Sequence, residues 1–409
     1  MAGASAADDD QAPNDAMAVP MAVIAGLSHN MVVGTIFGSF GVLIASVQDR
    51  MGVSLTLAGL GVPMVIIVSS LISPLIGTLA RRVSLRLMML VAALMTCAGF
   101  VVLAFATSYW LYLAAYFFLL GPAMAMGGSV GPTTLITRWF GRNRGLALGL
   151  AHLSIIVAIM PLLCFWVQKN YGTQATYLMV AVLVAALLVP FTLLIRDHPP
   201  GAGQGLASAF SDSPQATPVL LKSSQIMALP QFWMLALNNA LVISSAVMLG
   251  TILVPMARSW NYTQGQGAVL ASTMAFAGMA GSVLFGWVAD RIGGARGLAL
   301  IALNSGLLWA LLLTGPDFPV LLVIVALLGL HGAGAVPNIS RAMASVFGRD
   351  NFSSAFGLAT ALSLPFTVIS VIGSSAVAER THSFAVPIAV MALGLVVVAL
   401  LGYLARPQR

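Results

Sequence analysis

Charge is what this sequence has least of. Only 7% of its 409 residues are Asp, Glu, Lys or Arg, while 59% are hydrophobic; soluble domains carry roughly 25% charged residues. With a mean hydropathy of +0.99, that scarcity excludes a water-soluble fold, because no globular interior hides so much apolar surface. Cysteine is nearly missing too. Cys97 and Cys164 are the only two, each inside an apolar stretch, which argues against a disulfide framework or a thiolate metal site. The 11 acidic residues all fall in a tail, in loops or at the ends of apolar runs, so no buried carboxylate is available to carry a proton. Metal-ligand clusters and nucleophile–base constellations are not apparent. Asp290-Arg291-Ile292-Gly293-Gly294 follows an apolar run and lacks the Lys-Ser/Thr ending of a phosphate loop. Catalytic residues, a metal and a cofactor are therefore not expected, and neither is an enzyme.

What is present is a succession of long apolar runs, each near the ~20 residues that a bilayer-crossing helix needs. They cover Ala18–Val47, Leu55–Ala80, Ser84–Ala106, Tyr109–Thr137, Gly145–Val167, Gln174–Ile195, Leu229–Ala257, Gln266–Ala289, Arg296–Thr314, Phe318–Met343, Phe352–Ala378 and Phe384–Ala405. Continuous apolarity, without alternation at period two, favours helices over a barrel. The fold class expected is an all-α integral membrane protein of twelve transmembrane helices in two six-helix bundles.

Placing the N-terminus in the cytoplasm puts 14 of the 18 Lys and Arg residues on that side. Only Arg50, Lys169, Arg258 and Arg380 fall opposite, and Lys/Arg loop bias sets orientation. The net charge of +7 is thus a topology signal, and nucleic acid is not an expected partner. Residues 1–16 carry Asp8, Asp9, Asp10 and Asp15 without Lys or Arg; they lack a signal peptide's basic start and read as a disordered cytoplasmic tail. Residues 17–195 form the first bundle, 196–228 a Ser/Gly/Gln/Pro-rich linker, and 229–409 the second bundle.

The halves repeat. Gly77-Thr78-Leu79-Ala80-Arg81-Arg82 aligns with Gly286-Trp287-Val288-Ala289-Asp290-Arg291, Phe140-Gly141-Arg142 with Phe347-Gly348-Arg349, and Gly149-Leu150-Ala151 with Gly357-Leu358-Ala359, at offsets of 209, 207 and 208. Three matches at nearly one offset mark an internal duplication. Two related halves suit alternating access, with a solute site at their interface opening to either side as they rock.

These residues resemble the major facilitator superfamily, whose loop between helices 2 and 3 reads roughly Gly-x-Leu-Ala-Asp-Arg-x-Gly-x-Arg. The copy at Gly286, Asp290-Arg291, Gly293 and Arg296 fits it, and the resemblance runs from about Met17 to the end. Gly38-Ser39-Phe40-Gly41-Val42-Leu43 and Arg138-Trp139-Phe140-Gly141-Arg142-Asn143-Arg144-Gly145-Leu146-Ala147-Leu148-Gly149 further resemble the monocarboxylate-porter and oxalate/formate-antiporter group. The resemblance implies secondary transport of a small organic acid, often with a proton, by a monomer embedded in lipid; short loops and Ala/Gly richness suggest a bacterial inner membrane. Two alternatives stay open, export of a neutral or bulky amphipathic solute and a transport-inactive sensor with the same fold. The first is favoured because residues 266–289 and 352–378 hold no charge, where carboxylate carriers typically place a basic residue.

Histidine is the side chain that titrates near neutral pH without large perturbation, and three lie inside spans: His29, His152 and His331. Counting ~1.5 Å per residue puts His29 and His331 near mid-membrane and His152 nearer the cytoplasm. The resemblance implies that helices 1, 4, 5, 7, 10 and 11 line a central cavity. Substrate-binding or proton-coupling candidates are therefore His29, Asn30, Thr133, His152, Asn238, Asn239, His331 and Asn338, with Ser244, Ser245, Ser363 and Thr367 as further polar lining. At least one of the neighbours Asn238 and Asn239 is expected to face the cavity. A cytoplasmic gate is expected from Arg81, Arg82, Arg142, Arg144, Asp290, Arg291 and Asp350, with Arg81 pairing Asp350 in reversed sign and Asp290 latching Arg142 or Arg144.

Overall fold

The computed structural model describes residues 17–80, 82–140, 144–153, 155–199 and 221–404, without the side chains of 144–146, 349, 350, 353, 403 and 404. Among the described residues the long apolar helices are α1 (Ala18–Met51), α2 (Leu55–Leu79), α3 (Leu85–Phe105), α4 (Tyr109–Trp139), α5 and α6 within Ala147–Leu193, α7 (Pro230–Ser259), α8 (Gln264–Ile292), α9 (Gly294–Thr314), α10 (Phe318–Gly348), α11 (Ser354–Thr381) and α12 (Ala385–Gly402). α5 (147–171) and α6 (173–193) meet at Gly172, whose φ of 84° and ψ of 174° break the helix. A straight helix of 47 residues would be about 70 Å long, far beyond a ~30 Å hydrocarbon core. Gly348, φ 75°, makes the same kind of break between α10 and α11. Only glycine adopts that conformation without Cβ strain.

A hydrocarbon medium requires backbone hydrogen bonds to be closed within the protein, and helices meet that requirement along nearly their whole length. Packing then sorts them by half. One buried cluster joins α7 to α12 around Phe232, Trp309 and Phe384. Two others centre on the first half, one around Phe100, Tyr112 and Tyr177, which Val254 and Ala268 of the second half join, and one around Met89, Ile136 and Trp139. Remote residues fasten helix ends. Asp197 accepts from the Leu85 and Arg86 N–H groups at 3.1 Å each, putting a carboxylate at the positive end of α3. Arg50 donates to the Leu103 and Ala104 carbonyls at 2.8 and 3.2 Å, putting a cation at its negative end. Residues 196 and 197, expected at the start of a linker, thus belong to the packing of the first half, where Trp139 Nε1 also donates to Arg196 O. A one-turn helix, Ser223–Met227, precedes α7.

The halves are sealed together at the end opposite the chain termini. Gln264 donates to Val42 O at 3.0 Å and to Gln168 Oε1 at 2.8 Å. Gln168 in turn donates to Ser46 Oγ, and Thr56 donates to Glu379 at 2.7 Å. Gly41 of α1 lies against the Gly250 carbonyl of α7, where a Cβ would sit 3.3 Å away. Each such hydrogen bond contributes about 0.5–1.5 kcal/mol. Gln264→Ala is therefore expected to speed labelling of an Ala45→Cys reporter by an impermeant maleimide, about twofold to tenfold. Ala45 lines a cavity of about 470 Å³ at this end, and an unchanged rate would remove the network from the seal.

Candidate transport site

The site grows from a fault in α5 and another in α4. α5 runs helically from Arg144 to Ala151 and resumes at Ile155; the interruption lies against α1. Asn30 of α1 caps the resumed segment, accepting from the Ile156 N–H at 3.1 Å while donating to Gly26 O of its own helix at 2.9 Å. A break in a membrane helix leaves backbone groups unpaired, and a neighbouring side chain must take them. Gly26, Gly34 and Gly38, spaced by eight and then four residues, carry the same face of α1 against α5. Cβ atoms there would meet Ala151 Cα at 3.4 Å, Ile156 Cβ at 2.5 Å and Met160 Cβ at 2.7 Å.

The second fault is π-helical turns in α4, Ala115–Leu120 and Met124–Val130, a form that often marks functional positions. Beside the second stretch, Ser28 Oγ donates to Gly127 O at 2.8 Å and His29 Nδ1 to Gly128 O at 2.6 Å. A carbonyl only accepts, so Nδ1 carries the hydrogen, and the neutral His29 ring has a lone pair at Nε2. His152, just where α5 breaks, directs Nδ1 to Leu148 O at 2.9 Å. Its Nε2 lies 3.4 Å from Thr133 Oγ1, which donates by the same reasoning. The two imidazole centroids are 4.5 Å apart and tilted by 55°. His152 is therefore level with His29, which corrects the expectation of a position nearer the terminal face: residue counting ignores where each helix starts and how it tilts. The pair sits twelve residues, about 18 Å, along α1 from the Gly41 seal.

The other candidates are not gathered here. His331 is 6% exposed and stacks on Phe285 at 5.3 Å; its Nδ1 is buried without a hydrogen-bond partner. Asn338 donates to Phe285 O at 3.0 Å and Gly334 O at 2.8 Å, joining α8 to α10. Asn238 turns to α12, donating to Val398 O at 3.2 Å, while Asn239 is buried with its amide oxygen unpartnered. Ser244 and Thr367 join α7 to α11 at 3.1 Å. Ser245 and Ser363 bond back within their own helices.

At the terminal face Asp290 forms an ion pair with Arg341 of α10. α8 and α10 end side by side, with Gly294 against the α10 backbone, so this pair joins two helices of the same half. Arg291 stacks over Trp287 at 4.0 Å, and Arg82 is exposed. Arg81 and Arg142 lie outside the described residues, as do the side chains of Arg144 and Asp350. The Asp290 and Arg341 side chains are 67% and 50% exposed, and such pairs contribute about 0–1 kcal/mol. A double-mutant cycle on thermal stability is expected to give a coupling under about 1 kcal/mol that fades with salt; a larger, salt-insensitive value would mark a buried latch.

Sequence reasoning missed Ser28, Gly127, Gly128, Asp197, Gln168 and Gln264. A signal for some existed: Pro132 stands four residues after Gly128, so it deprives that carbonyl of its helical donor.

Two six-helix bundles with polar and titratable groups buried between membrane helices define a membrane transporter, not an enzyme. The chain belongs to the Major Facilitator Superfamily, whose family model matches residues 26–250 and 235–409. It is 23% identical over 360 residues to the uncharacterized MFS-type transporter YcxA of Bacillus subtilis (strain 168), over 86% of each chain. To Monocarboxylate transporter 12 of Mus musculus it is 24% identical over 328 residues, 70% of this chain and 65% of that one. Its fold is similar, with a TM-score of 0.71, 14% identity and coverage of 95% and 96%, to a bacterial homologue of the human lysosomal transporter Spinster in an inward-facing, unoccupied conformation.

Proposed function

We propose that this transporter moves a small monocarboxylate-like acid together with a proton, and that His29 and His152 form the proton-binding part of its site. The observation that carries the reading is the pair itself: two imidazoles 4.5 Å apart, each with Nδ1 committed to a backbone carbonyl. Nε2 is thereby the atom that takes a proton and, once protonated, donates to a carboxylate. Similarity to a monocarboxylate transporter supports the substrate class. In the proposed cycle residues 17–195 and 229–409 rock as units in a monomer, with both termini cytoplasmic in a bacterial inner membrane.

Export of a neutral or bulky amphipathic solute is the second reading, favoured by the lack of charge over residues 266–289 and 352–378. Purified protein in proteoliposomes decides between them. Uptake of radiolabelled monocarboxylates that rises with an inward proton gradient supports the first, and no uptake of any acid by folded protein sinks it.

A further inference from the structure

In a regular α-helix the Gly128 carbonyl would accept from residue 132 and the Gly127 carbonyl from residue 131. Neither bond forms. Residue 132 is proline and has no N–H, while the Gly131 N–H reaches back five residues to Met126 O, closing the π stretch. Two successive carbonyls are released toward α1, where Ser28 and His29 take them. A Cβ would crowd the contact at both positions: at Gly127 it would sit 2.8 Å from Ala92 Cβ and 3.1 Å from Val32 Cγ2 of α1, and at Gly128 2.8 Å from Met124 Sδ and 3.2 Å from Val33 Cγ2 of α1.

We infer that Pro132 is a positioning residue for His29: by withholding an N–H from Gly128, it leaves that carbonyl to hold the ring with hydrogen on Nδ1 and the Nε2 lone pair open. The sequence neighbours Ser28 and His29 match the neighbouring carbonyls, so the clamp fixes ring orientation as well as tautomer, a control that backbone carbonyls commonly exert on histidine. Alanine at 132 restores a donor in α-helical register, which competes with Nδ1 for Gly128 O and frees the ring to exchange tautomers. The consequence for transport rests on the proposed role of His29; the clamp does not.

The test is nitrogen NMR on the full chain in lipid nanodiscs, with ¹⁵N-labelled histidine and the His29 signals assigned by their loss in His29→Gln. At alkaline pH the wild type is expected to show a protonated Nδ1 and a bare Nε2. Pro132→Ala is expected to lose that signature, and Ser28→Ala, which removes only the neighbouring contact, to keep it. Hydrogen on Nε2 in the wild type, or an unaltered signature in Pro132→Ala, overturns the inference. In parallel, gradient-driven uptake by Pro132→Ala is expected to fall about tenfold, the loss of one hydrogen bond to a charged group, with a displaced pH profile. A changed tautomer with unchanged uptake upholds the positioning and overturns proton coupling through His29.

Discussion

Gradient-driven uptake is expected to fall about tenfold to a hundredfold in His29→Gln. Glutamine retains a donor for Gly128 O, now held at 2.6 Å, and keeps much of the volume, so helix packing survives. What it removes is the proton-accepting Nε2, and with it a charged donor to the substrate. A hydrogen bond to a charged group contributes about 1.5–3 kcal/mol, and each 1.4 kcal/mol is about a factor of ten. His152→Gln is expected to be milder. That ring is half-buried and its Nε2 already faces Thr133 Oγ1, so in the proposed site it is the second member of the pair. Counterflow of substrate between equal pH values separates coupling from binding. A His29→Gln protein that exchanges substrate but ignores the gradient has lost coupling alone. Full gradient-driven uptake in that variant would make His29 a structural histidine.

Gly34→Leu is expected to prevent a properly folded protein from accumulating. A Cβ at Gly34 would already lie 2.5 Å from Ile156 Cβ, 2.6 Å from its Cγ2 and 3.0 Å from the Val157 nitrogen. Two of these atoms cannot swing away, because one is backbone and the other sits at the root of a β-branched side chain. α1 must then leave α5 where Asn30 accepts from the Ile156 N–H, so the overpacking cost of about 1–3 kcal/mol is compounded by unpaired backbone at Ile156. Gly34→Ala is expected to lower thermal stability measurably without abolishing folding. Gly149→Ala is the control, since a Cβ there meets nothing within 4 Å. Size-exclusion profiles and melting in detergent read all three; a Gly34→Leu protein as monodisperse and stable as the wild type would show that the two helices are not in contact as described.

Much of the fold was legible in the sequence. Spanning a bilayer is a property of a window of about twenty residues, and composition alone reports it. The histidines were also visible, since an ionisable group in a membrane helix stands out against apolar surroundings. Their relation was not. His29 and His152 meet through an interface in which Asn30 bonds to Ile156 across 126 positions, and no local pattern encodes the rotation of one helix against another. Asn238 shows the same limit: its polarity signalled a role, yet its amide faces Val398 of α12. Asp290 adds a contact that no motif signalled, an ion pair with Arg341 of its own half.

By itself, then, the sequence determined twelve spans, a duplicated architecture and a short set of polar groups within it, because hydrocarbon selects residues by transfer energy, which adds along the chain. Tertiary structure alone decided which of those groups meet. Helix rotation, the break before Ile155, the π turns of α4 and the donor missing at Pro132 set that, and each is a consequence of packing between segments far apart in the chain.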